Sequence, residues 1–226
     1  MTEHTVYEGE EKKVLMRITG YKSALISGGA ILAIAVLLSA APTPPNSLPQ
    51  SPQTSAHEIA LIFEPSQTKV HYILDATMHT VHGRFALKRG SLHFDPQSGK
   101  ADGAIVVNAA SGESGNGSRD ARMHKEILET WKFAEATFHP KQIEGHVSLA
   151  GASDFKVKGI ITVHGSDHEI QVPVHSEFSG NQWKGTAKFE IPYTKWGIKD
   201  PSNFFLHVKP IVNIELELSG TQSPAN

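Results

Sequence analysis

The chain has 226 residues, a formal net charge of −2 and no cysteine. Without a thiol, disulfides, Fe–S clusters, thiolate metal sites and cysteine nucleophiles are excluded. With neither a basic excess nor a long Lys/Arg run, the composition argues against nucleic acid as a partner.

Residues 1–23 form a charged leading segment. Ala24 to Ala41 reads ALISGGAILAIAVLLSAA and carries no charge. Wound as a helix, a run of that length rises roughly 27 Å, about the hydrocarbon thickness of a bilayer. Lys12, Lys13, Arg17 and Lys22 precede it. The positive-inside rule then keeps the N-terminus in the cytoplasm and sends the rest across. Two readings fit: an uncleaved transmembrane anchor, or an export signal cleaved at the small residues Ser39–Ala41. Pro42 hinders cleavage, and the leading segment is long and contains Glu3, Glu8, Glu10 and Glu11. The anchor is therefore favoured. Residues 42–56 hold five prolines in fifteen positions, which makes them an extended spacer rather than a helix or strand.

From residue 57 to 226, period-two alternation dominates, the mark of strands with one buried face. Val70, Tyr72 and Leu74 open the pattern. Further strands are expected at Val81–Lys88, Gly90–Phe94, Gly103–Ala109, Thr137–Ile143, His146–Ala150, Val157–Val163, Asp167–Phe178, Lys184–Ile191 and Val208–Leu218. Turn residues punctuate them at Asp95–Gly99, His164–Asp167 and Ser179–Asn181. Strands joined by short turns imply an antiparallel meander, and closing it into an all-β barrel removes exposed edges. One segment breaks the pattern: a glycine-rich loop, Ala110–Gly117, leads into a short helix expected over Ser118–Leu128, with Ser118 as its N-cap.

These residues resemble the YceI family. The resemblance is carried by His79-Thr-Val-His82-Gly-Arg84-Phe85, by Gly90-Ser-Leu-His-Phe94-Asp-Pro, by Ser111 with Gly115-Asn116, and by Arg119-Asp120. It continues through Met123-His124-Lys125-Glu126, Gly159-Ile-Ile-Thr-Val-His164-Gly, Val172-Pro-Val174 and Trp196-Gly-Ile198. It implies an extended lipocalin-like antiparallel β-barrel with a short helix at its rim; the single N-terminal transmembrane helix expected to precede it is read from the apolar run and is not part of the family's core pattern. It also implies a polyisoprenoid or other long-chain lipid in the lumen, no other cofactor, and a place in the bacterial envelope. The barrel would then be anchored in the cytoplasmic membrane and face the periplasm or outside, or be secreted if the N-terminus is cleaved. The partners expected are the lipid and, through residues 24–41, the membrane; a single copy and a homodimer are both compatible.

Arg119 is the first candidate for meeting a phosphate or carboxylate head group at the mouth. His79, His82, Arg84 and His124 are further head-group candidates, and Tyr72, Phe85, Phe94, Phe138, Phe189 and Trp196 are lumen-lining candidates. Histidine is abundant, at 13 copies, but His79 and His82 on one strand point to opposite faces, so no metal site is expected from them. Ser111, Asp120 and His124 contain the residue types of a catalytic triad without any spacing that fixes it, and no nucleophile or phosphate-loop motif occurs, so no enzyme is expected. Two alternatives remain open: a structural or interaction barrel filled by its own side chains, and a His-dependent metal enzyme.

Overall fold

A computed structural model describes residues 58–224. The leading segment, the expected membrane helix and the spacer all precede them and so lie outside the described residues. No helix among the described residues is long and apolar enough to cross a membrane.

Nine strands are described: β1 (Ile59–Phe63), β2 (Lys69–Asp75), β3 (Thr80–Phe94), β4 (Ala101–Glu113), β5 (Glu135–Glu144), β6 (Gly151–Val163), β7 (Ser166–Ser179), β8 (Gln182–Ile191) and β9 (Val212–Pro224). Each pairs antiparallel with its neighbours, and β1 and β2 together occupy one place between β3 and β9. Ile59–Ile62 of β1 face Ser91–Phe94 of β3, and Ile59–Phe63 face Gly220–Pro224 of β9. Val70–Asp75 of β2 face Thr80–Phe85 of β3, and Lys69–Ile73 face Asn213–Glu217 of β9. Between them, Glu64–Thr68 form an outward turn in which the Gln67 and Thr68 N–H groups donate to the Glu64 carbonyl at 3.1 and 3.0 Å. The wall thus has eight positions and closes on itself. Every position is hydrogen-bonded on both sides, and the core comes from the described residues, so the barrel is a self-contained folding unit.

Two phase changes explain why the strand pattern looks broken in the sequence. Val81, Gly83, Phe85 and Leu87 face inward, but so do Leu92 and Phe94, which have the opposite parity. A register shift between Leu87 and Arg89 reverses the phase inside one continuous strand. A shift between Pro140 and Gln142 does the same in β5, turning Ala136 and Phe138 inward on one side and Ile143 on the other. The expected loop start at Ala110–Glu113 is in fact strand. There the ladder is interrupted and Ser111 stands in for it: its hydroxyl accepts the Ala86 N–H at 2.8 Å and donates to the Asn108 carbonyl at 2.6 Å.

Three further expectations differ from the structure. β1 has no alternating pattern to announce it, because its Ala60 is buried on the face opposite Leu61 and Phe63. His146–Ala150 is a connection, not a strand, and Val208–Ile211 precede β9 with only an isolated Ala76–Val208 bridge. The helix starts at Gly117 as α1 (Gly117–Arg122). Its N-cap is Asn116 rather than Ser118, with the Asn116 side chain accepting the Arg119 N–H. Met123–Ile127 continue it as a wide π-turn.

The two ends of the barrel differ. At one end, β3–β4, β5–β6 and β7–β8 are joined by tight connections, and the strand ends Ile59 and Pro224 lie side by side. At the other end lie the β2–β3 and β6–β7 turns and the two long connections, 114–134 carrying α1 and 192–211. The first is the closed end and the second the mouth.

Candidate functional site: the lumen and its mouth

Inward-facing residues of all the strands enclose a cavity of about 290 Å³. That is about twice the ~150 Å³ apolar cavity that stays dry and takes up a benzene-sized guest. Among the described residues, its lining holds no charged side chain, and Thr137 and Ser176 are the only polar residues there apart from Tyr72, Tyr193 and Trp183.

Aromatic packing seals the closed end. Trp183 is 3% exposed and meets Phe63 edge-on at 4.9 Å, with the Phe178 ring stacked at 6.3 Å. At the mouth, Ile127 joins Tyr193 and Ile198 in a second, smaller apolar cluster, with Leu128 partly buried against it. The long connection carrying α1 is fastened to the β6–β7 turn. Glu129 accepts from the His164 ring nitrogen at 2.9 Å, and the Phe133 ring lies 4.4 Å from that of His164.

A polar group sits beside this mouth. The Tyr72 ring lies so close over Gly83 that a Cβ there would fall 2.2 Å from it, which only glycine permits. This aims the hydroxyl at Met123 Sδ, 3.6 Å away. Burial pushes the Tyr72 pKa up, with the neighbouring Ser114 hydroxyl acting the other way. Ser114 is the hub. Its N–H donates to Asp120 Oδ1 at 2.9 Å and its hydroxyl also donates to that carboxylate. Arg119 Nε donates to Ser114 Oγ at 2.7 Å and Nη2 to the Ser114 carbonyl at 2.9 Å. The Ser114 hydroxyl holds the Asp120 carboxyl below its usual range. Arg119 and Asp120, adjacent in sequence, therefore meet through a third residue rather than each other. Tyr193, just after β8, has a buried hydroxyl with no hydrogen-bond partner among the described residues, and burial pushes its pKa up to about 12.

The expected site residues divide by location. Tyr72, Phe85, Phe138 and Phe189 face the cavity. Phe94 and Trp196 do not. Phe94, 1% exposed, is packed into the core at the last residue of β3, and Trp196 stacks flat on His168 at 4.1 Å. Arg119 and His124 lie on the helical segment at the mouth, where the His124 Nε2–H donates to the Gly112 carbonyl at 2.8 Å. His79 is exposed in the β2–β3 turn. His82 and Arg84 point outward, because Val81, Gly83 and Phe85 point in, and Arg84 pairs with Glu113 across the outer wall. These three are therefore not gathered with Arg119.

Ser111, Asp120 and His124 bond to separate partners and form no relay. Among the described residues, the group with metal-ligand proximity is Glu58, His93 and Asp102, whose ligand atoms lie within 4.8 Å of one another on the outer wall. It includes none of His79, His82 or His124. Sequence reasoning missed Ser114 and Tyr193. Neither stands in a motif: the turn of the glycine-rich segment ahead of α1 brings Ser114 to Arg119 and Asp120, and Tyr193 follows directly on β8.

The profile of the YceI-like domain family matches residues 62–220. The chain belongs to the YceI-like family. Solved structures agree in fold. BcnA of Burkholderia cenocepacia superposes with a TM-score of 0.59 at 17% identity, over 70% of this chain and 98% of that one. A polyisoprenoid-binding domain from Saccharophagus degradans, implicated in plant cell wall breakdown, gives 0.59 at 13% identity, over 72% and 98%. The Campylobacter jejuni YceI protein gives 0.51 at 17%, over 64% and 86%. No curated protein matches the chain. The solved structures share the barrel fold, and in this chain the barrel surrounds an apolar lumen.

Proposed function

We propose that this YceI-like barrel binds a long-chain apolar lipid, a polyisoprenoid or a fatty amphiphile, in its lumen, and serves as a carrier, store or sensor in the bacterial envelope. The observation that supports this most is the cavity: about 290 Å³ without a charged lining residue. A hydrocarbon chain gains about 0.8 kcal/mol for each CH₂ withdrawn from water, and such a lumen offers that withdrawal along its length. A barrel filled by its own side chains would leave no such space. The relative from Saccharophagus degradans, a polyisoprenoid-binding domain, is consistent with this ligand class.

The polar end of the lipid sits at the mouth. Arg119 is held by Ser114 through Nε and Nη2, which leaves Nη1 to meet an anionic head group, while the Tyr193 hydroxyl offers a donor inside the rim. Residues 24–41 tether the barrel to the membrane that supplies the lipid. The barrel acts by binding rather than by catalysis.

The test is native mass spectrometry and solvent extraction of residues 57–226 expressed in a membrane-competent host. A bound lipid, lost in Ala187→Phe where the new ring fills the lumen, is the expected result. Apoprotein alone in the unsubstituted barrel would refute the reading.

A further inference from the structure

Exposed large apolar side chains are concentrated at the mouth. Met78, Trp131, Phe204 and Phe205 are 83, 74, 88 and 84% exposed, and Ile211 joins them there; only Ile62 lies elsewhere. They come from three different connections: the β2–β3 turn, the 114–134 connection and the 192–211 connection. None of the connections at the closed end carries one among the described residues.

The backbone holds these side chains outward. Asn203 Oδ1 accepts the N–H groups of Phe205 and Leu206 at 3.0 and 2.9 Å, and the two phenyl rings pack edge-on at 5.1 Å. The Thr77 N–H and hydroxyl donate to the His207 carbonyl at 2.9 and 3.0 Å, which ties the turn bearing Met78 to the segment bearing the phenylalanines. An ordered chain that presents large apolar groups to water marks a binding surface.

We propose that this rim docks on a lipid bilayer and seats Met78, Trp131, Phe204 and Phe205 in its interfacial layer, so that the lumen opens into lipid. The proposal rests on the lumen reading above and names where the cargo enters. Two observations favour a bilayer over a protein or a second copy. The apolar groups stand on separate connections around an opening rather than on one flat patch. Trp131 is followed by Lys132, and Lys125 and Lys195 belong to the same end, the mixture of aromatic and cationic side chains that suits a membrane interface.

The self-contained barrel, residues 57–226, is mixed with phosphatidylcholine vesicles, with and without phosphatidylglycerol, and floated; vesicles with brominated acyl chains report on Trp131 by quenching. The expected result is co-flotation, with quenching that disappears in Trp131→Phe. Phe204→Ser/Phe205→Ser should bind vesicles at least about tenfold more weakly at unchanged thermal stability. That variant, loaded from detergent, should still carry as much extractable lipid as the unsubstituted barrel. A lipid-filled barrel that neither floats nor is quenched would overturn the docking proposal and leave the lumen reading intact. Vesicle binding by a barrel that never holds lipid would do the reverse. Concentration-dependent dimerisation lost in the double variant, without flotation, would assign the rim to a second copy and overturn the proposal.

Discussion

The two ends of the barrel solve opposite problems. The closed end has short connections, and its aromatic rings pack on one another: Trp183 against Phe63 and Phe178, with Phe94 buried in the same core. The mouth has two long connections, a polar hub at Ser114, an unpartnered tyrosine hydroxyl and exposed aromatic rings. Both ends are built from the same strands, so the strands themselves do not distinguish them; the connections do. In this fold, packed aromatic rings fill the closed end, and the mouth carries the polar groups and the exposed apolar side chains.

The largest expected effect is at the closed end. Trp183→Ala removes the side chain that seals it and should cost about 3–5 kcal/mol. It is read as a lower urea midpoint at unchanged slope; a midpoint close to wild type would show that the lumen relaxes around the lost ring. Next comes Gly83→Ala, whose new methyl would lie 2.2 Å from the Tyr72 ring. Overpacking of this kind costs about 1–3 kcal/mol. Because it displaces the Tyr72 hydroxyl from the mouth, it should also change the tyrosine fluorescence of the folded state.

Smaller effects should follow at the mouth and depend on pH. The Asp120 pKa is lowered, chiefly by the Ser114 hydroxyl. The stability it contributes is therefore present above its unfolded pKa, near 4, and is lost as pH falls through the lower folded value. Asp120→Asn should cost about 1 kcal/mol at neutral pH, and its curve should converge on wild type in acid. Curves that stay parallel from pH 7 to pH 3 would exclude that linkage. Tyr193 has its pKa raised from 10.0 to about 12 by burial, so the folded state holds that proton longer than the unfolded chain does. Stability is unaffected below pH 10 and falls between about 10 and 12. Tyr193→Phe should match wild type at neutral pH and lose less stability in that alkaline window. At the small extreme, Met78→Ser should change stability by no more than about 0.5 kcal/mol, measured by thermal unfolding.

Much of the wall was legible in the sequence, because alternation reports directly on which side of a sheet a residue faces. β7, β8 and the Val212–Leu218 part of β9 read cleanly: Val172, Val174, Ala187, Leu216 and Leu218 all face in. The bulges were not legible, because a phase reversal at Leu87–Arg89 looks the same in sequence as the end of a strand. Depth was not legible either. Phe94 and Phe85 both have the inward parity of their part of β3, yet only Phe85 reaches the cavity, since parity does not encode distance along the barrel axis. Arg119 was placed near the mouth by the helix that carries it. Its partner Ser114 was not, because the bond depends on how the glycine-rich segment turns before that helix.

The shared wall position of β1 and β2 has a further consequence. The seam that closes the barrel joins Ile59 to Pro224, near opposite ends of the described residues. No earlier strand can substitute for β9, which hydrogen-bonds β8 on one side and β1 and β2 on the other. During synthesis, β1 and β2 must therefore wait with one edge unpaired until nearly the whole chain has emerged. Contacts of such long sequence separation form late and slowly, and the waiting edge is a template for pairing with other chains. A chain shortened before Val212 should accumulate as an open sheet prone to aggregation, although most of its wall is intact.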